Sequence, residues 1–100
     1  MIEHTVCFTL KHLPGSDEEA AFLRFARGVL PGVPGVERFR VARQVSIQSE
    51  YRWQFSMVFA SEDDYAAYNA HPEHQAFVRD RWLTEVDSFQ ELDFVPEPDA

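Results

Sequence analysis

The stretch YRWQFSMVF, residues 51–59, limits the folds open to this chain more than any other: Tyr51, Trp53, Phe55, Met57 and Phe59 alternate with Arg52, Gln54, Ser56 and Val58. Successive side chains on a strand point to opposite faces, so this period-two pattern predicts a strand with one aromatic face and one mixed face. A strand of that kind belongs to a sheet covered by helices on the aromatic side. The N-terminal IEHTVCFTL repeats the pattern, with Ile2, His4, Val6, Phe8 and Leu10 on one side and Glu3, Thr5, Cys7 and Thr9 on the other. VERFRVARQVSIQ and the closing FQELDFVP supply two further strands.

Between the strands the period changes. Ser16 is placed to cap a helix, with Glu19 three residues on, acids in the first turn, and Phe22, Phe25, Ala26 and Val29 at helical spacing. PGVPG ends that helix. Ser61 followed by EDD opens a second, which carries Tyr65 and Tyr68 at i, i+3 and ends before Pro72. Proline disfavours helical backbone in the residue before it and suits the first turn of a new helix, so His71 is predicted at a corner and His74 on the first turn of a third helix. That helix continues through Phe77, Val78, Trp82, Leu83 and Val86. The order β-α-β-β-α-α-β predicts an α+β, ferredoxin-like fold: a four-stranded antiparallel sheet with its helices on one face. Residues 1–96 form the predicted domain and 97–100 a short tail.

Composition removes several function classes. Seventeen acids against nine bases, a net charge of −8, repel phosphate backbones, so no nucleic-acid partner is expected. The apolar runs fall short of the roughly 20 residues of a membrane span, and the opening residues lack a basic leader, so neither membrane nor export is expected and a cytoplasmic location is. Cys7 is the single cysteine, and neither a disulfide nor a zinc cluster can be built from it. His71 and His74 have no cysteine or carboxylate cluster to complete a tetrahedron, so no metal is expected.

IEHTVCF, LPGV, YNAHPEHQAFV and LDFVP together resemble the stress-responsive α/β-barrel (Dabb) domain family across residues 2–96. That family includes the olivetolic acid cyclase-like proteins. The resemblance implies a dimeric α+β barrel, and the bare, semi-polar sheet face that bears Thr5, Cys7, Thr9, Gln54, Ser56 and Val58 is where a homodimer is expected to join. It also implies a cofactor-independent acid–base site. By the resemblance His74 matches a catalytic histidine, Tyr68 the tyrosine that works with it, and Asp93 the carboxylate that orients the His74 ring. His4 and His71 match pocket positions, while Trp53 falls where the family's plant polyketide cyclase has a second pocket histidine. A bulky indole there shortens the pocket.

Each of these residues also has a plainer reading. His74 on a first helical turn can be a half-exposed surface histidine, Tyr68 a buried tyrosine with a satisfied hydroxyl, His71 a corner residue that caps a helix, and His4 a hydrogen-bonded core histidine. Three functions follow. The first is a cofactor-independent cyclase or lyase acting on a small apolar, polyketide-like carbonyl compound through His74, Tyr68 and Asp93, with His4, Trp53 and His71 binding substrate. The second is a non-catalytic, stress-related or ligand-binding dimeric scaffold. The third is a cofactorless monooxygenase, a reading that rests on fold analogy. A catalytic reading calls for a pocket of about 300 Å³ or more that reaches His74.

Overall fold

A computed structural model describes residues 1–98. β1 (Ile2–Leu10), β2 (Glu37–Arg43), β3 (Trp53–Phe59) and β4 (Val86–Phe94) form one sheet in the order β2-β3-β1-β4, with every neighbouring pair antiparallel. α1 (Asp17–Val29) links β1 to β2. α2 (Glu62–Ala70), α3 (Pro72–Phe77), a π-helical turn (Val78–Trp82) and the short α4 (Leu83–Glu85) link β3 to β4. This is the predicted ferredoxin-like arrangement.

The period-two strands decide which face the helices cover. Ile2, His4, Val6 and Phe8 are buried on β1, as are Phe55, Met57 and Phe59 on β3. Their register, His4 opposite Met57 and Val6 opposite Phe55, puts them on the same side of the sheet. Phe8, Phe22 of α1, Phe55 and Trp82 pack into one aromatic core, with the Phe8 ring 4.7 Å from Phe55 and 5.0 Å from Trp82. Val33, Met57, Phe59 and Tyr68 form a second cluster toward the other end. Thr5, Cys7, Thr9, Gln54, Ser56 and Val58 share the opposite face, which Leu92 and Phe94 of β4 join through their pairing with Thr5 and Glu3.

Several boundaries differ from expectation. β2 ends at Arg43 because Gln44 turns the chain: its side-chain amide donates to the carbonyls of Ser49 and Tyr51, and its carbonyl accepts from the Ser46 amide. Val45 and Ile47 are thereby exposed in a loop rather than paired in a strand. β3 begins at Trp53, not Tyr51, and β4 begins three residues before Phe89, drawn out by its ladder to β1. The third helix is interrupted by the π-helical turn, in which Trp82 is buried. Of the predicted tail, residues 99 and 100 lie outside the described residues. Among the described residues no helix is long and apolar enough to cross a membrane.

Candidate functional site

The corner around Pro72 folds as its sequence requires. His71 has extended backbone (φ −67°, ψ 134°), ends α2 with its amide donating to the Tyr68 carbonyl, and caps α3 by accepting from the Glu73 amide at Nδ1 (3.1 Å). Pro72 at the first position of α3 gives up no hydrogen bond there. This turn places His74 against Tyr68, ring centroids 4.2 Å apart, on the inner side of the helical layer.

His74 and Tyr68 line a cavity of about 160 Å³ together with His4, Val6, Leu30, Phe55, Met57, Phe77, Val78 and Trp82; exposed Leu83 and Phe89 and the Glu91 carboxylate complete its wall. The lining is apolar except for the two histidines, the tyrosine and Glu91. An apolar cavity of about 150 Å³ accommodates a benzene-sized molecule, so the enclosed part has room for a single ring. It is smaller than the pocket the catalytic reading called for, but it is open to solvent past the exposed Leu83 and Phe89, where a longer substrate would extend.

His74 Nδ1 is buried with no well-formed hydrogen bond. Burial pushes the His74 pKa below the ordinary histidine value; the Asn69 backbone opposes this, and the repulsion His74 would meet if it and the neighbouring His4 were both protonated adds to the lowering. The ring is therefore neutral at pH 7, with lone-pair character available. Tyr68 is 2% exposed, and burial, followed by the repulsion an ionised phenol would meet from Tyr65 and the Glu91 carboxylate, raises its hydroxyl above the usual phenol range. It stays protonated and can donate.

Asp93 does not reach His74, contrary to the role the resemblance implied. Its register opposite His4 in the β1–β4 ladder brings Oδ1 to 2.6 Å from His4 Nδ1. Tyr65, one helical turn before Tyr68, donates its hydroxyl to Asp93 Oδ2 at 3.0 Å, and its oxygen lies 2.9 Å from His4 Nδ1. Strand pairing thus gave the carboxylate to the strand histidine rather than to the helix histidine. Tyr65 was absent from the expected site, although its i, i+3 spacing from Tyr68 placed it on the same helix face.

Two expected pocket residues lie elsewhere. Trp53 stands beside α1, where its indole N–H donates to Glu19 Oε2 at 2.9 Å, so it neither lines the cavity nor shortens it. The buried Glu19 carboxylate, which also accepts from Arg52 and the Gly15 amide, is what draws the indole away. His71 points its ring at the α3 amides and is not in the cavity lining. Among the described residues no group of three or more His, Cys, Asp or Glu side chains is arranged to hold a metal ion.

The family model described as Stress Responsive A/B Barrel Domain matches residues 2–96. A Dabb family protein with a ferredoxin-like fold from Mesorhizobium loti is 50% identical, with a TM-score of 0.95 and coverage of 96% of each chain. A dimeric protein of unknown function with a ferredoxin-like fold from Bacteroides fragilis matches at 21% identity and a TM-score of 0.71, covering 93% of each chain. The hydroxynitrile lyase from Passiflora edulis shares the fold at 11% identity and a TM-score of 0.80, over 97% of this chain and 94% of its own. No curated protein matches the sequence significantly. With the family model covering nearly the whole chain and half of the residues identical to a Dabb protein of the same fold, the chain belongs to the stress responsive A/B barrel domain family.

Proposed function

We propose that this protein is a cofactor-independent acid–base enzyme of lyase or cyclase type, acting on a ring-sized apolar carbonyl compound held in the cavity between sheet and helices. The observation that carries the reading is the pairing of His74, neutral and without a well-formed hydrogen bond at Nδ1, with the protonated Tyr68 on the wall of an otherwise apolar cavity. His74 takes a proton from the carbon next to the carbonyl, while the Tyr68 hydroxyl donates to the carbonyl oxygen as it gains negative charge. Asp93 acts at one remove, as a positioning residue for His4. The resemblance to the olivetolic acid cyclase-like proteins and the shared fold of a hydroxynitrile lyase support a carbonyl-centred reaction. A scaffold function remains the competing reading, and it differs in requiring no proton transfer.

The protein is further proposed to work as a homodimer. The face bearing Thr5, Cys7, Val58, Leu92 and Phe94 lacks a covering layer in the protomer, and dimeric ferredoxin-like proteins are among the structures of the same fold.

Proton exchange tests the chemistry directly. With cyclohexanone in D2O, deuterium incorporation at the α-carbons, followed by proton NMR, should exceed the buffer rate. His74→Ala should abolish the excess, and Tyr68→Phe should reduce it by about 10²-fold, the effect of losing one oxyanion donor. A wild-type rate equal to buffer, or an unaltered His74→Ala rate, would leave the scaffold reading in its place.

A further inference from the structure

The arrangement around His4 defines what else the cavity must recognise, an inference that rests on the proposed use of this cavity. His4 is 6% exposed and lines the cavity from β1. Its Nδ1 lies 2.6 Å from Asp93 Oδ1, and a carboxylate can only accept, so Nδ1 carries the proton. The Tyr65 hydroxyl reinforces this from α2. Burial first, and then hydrogen bonding to Asp93 and the negative charges of Asp93 and Glu91, keep the phenol protonated, so it donates to the carboxylate and turns its own oxygen toward Nδ1. A neutral imidazole has one donor and one acceptor nitrogen. With Nδ1 committed to Asp93, Nε2 is the nitrogen left for the cavity, and in the neutral ring it is an acceptor.

We propose that Tyr65 and Asp93 lock His4 as the Nδ1–H tautomer, so that Nε2 presents a fixed lone pair to the cavity and selects ligands that carry a hydroxyl beside the carbonyl: hydroxy ketones, enols or phenolic carbonyl compounds. Such a ligand satisfies both ends of the site. Its carbonyl oxygen accepts from Tyr68, and its hydroxyl donates to His4. A ligand without the hydroxyl leaves a buried acceptor unpaired, which costs about 1–3 kcal/mol, or roughly 5- to 150-fold in affinity. Tyr65 and Asp93 are positioning residues in this scheme, and neither touches the ligand.

Phenol and toluene have nearly the same shape and differ in the hydroxyl, which makes them suitable probes of the intact protein. Phenol should bind at least about fivefold more tightly than toluene by NMR titration. Asp93→Asn, whose amide can donate as well as accept, should shrink that preference several-fold. Equal affinities, or a preference unaffected by Asp93→Asn, would overturn the proposal. Long-range ¹H–¹⁵N correlation of the imidazoles decides the matter independently of any ligand: in the neutral ring it should show the Nδ1–H tautomer for His4 in the wild type and in Tyr65→Phe, where the carboxylate is kept, and a tautomer mixture in Asp93→Asn. A wild-type Nε2–H tautomer refutes the lock even if cyclohexanone exchange is observed, and absent exchange with an Nδ1–H tautomer leaves the lock standing while the enzyme reading fails.

Discussion

Replacing Glu19 should cost this protein more stability than its position on a helix suggests. Glu19 is only 5% exposed, and its carboxylate accepts three separate groups: the Gly15 amide at 2.8 Å, Arg52 Nε at 2.9 Å and the Trp53 indole at 2.9 Å. Its own amide donates to the Ser16 hydroxyl, so the residue closes the start of α1 and ties that helix to Trp53, the first residue of β3, and to Arg52 just before it. A hydrogen bond to a charged group contributes about 1.5–3 kcal/mol. Arg52 is 35% exposed and rehydrates in part when its partner is lost, so the three contributions do not simply add. The cost of Glu19→Ala is then about 3–5 kcal/mol, that of breaking a buried ion pair. For a domain of this size 1 kcal/mol moves Tm by about 4–8 °C, so the melting temperature followed by circular dichroism should fall by roughly 12 °C or more.

The pH dependence of that difference has a definite sign. Burial alone would raise the Glu19 pKa, but Arg52, the Gly15 amide and the Trp53 indole outweigh it and hold the carboxyl below the ordinary range. The charged form is therefore favoured by folding, and its stabilisation is complete above the unfolded-state pKa and lost as pH falls through the folded one. The gap between wild type and Glu19→Ala should narrow in acid. A difference under about 1 kcal/mol at pH 7, or one that does not change down to pH 3, would refute the reasoning. Since neither Glu19 nor Trp53 lines the cavity, ligand binding well below the melting temperature should survive the change.

Two further outcomes follow from the same geometry. The folded-state pKa of His74 is depressed, so the unfolded chain takes up the proton first; stability should be greatest above the ordinary histidine range and decline as pH falls through it, and His74→Gln should remove that part of the slope in urea titrations at pH 5 to 8. Val58→Asp places a charge on the uncovered sheet face and should weaken self-association by several kcal/mol in sedimentation equilibrium, whereas a monomeric wild type at micromolar concentration would remove the proposed interface.

The sequence alone was enough to establish the sheet, the covered face and the corner at Pro72, because each depends on short-range physics. Alternation in YRWQFSMVF and IEHTVCFTL assigns faces whatever the partner strands are, and proline's missing amide and restricted neighbour set the α2–α3 boundary. His74 and Tyr68 meet because only six residues and one turn separate them. The partners of Asp93, Trp53 and Glu19 were a different matter. Asp93 bonds to His4 across 89 positions, and that choice depends on the register of β4 against β1, which one residue's slip would have turned to the other face. Trp53 lies on the aromatic side of its strand, yet it turned to a carboxylate 34 residues away because a buried acceptor with two free lone pairs must be satisfied. Local patterns decide which side of an element a residue occupies; which polar atom it meets there is settled only when strands pair and helices dock, since those pairings join residues that no local spacing relates.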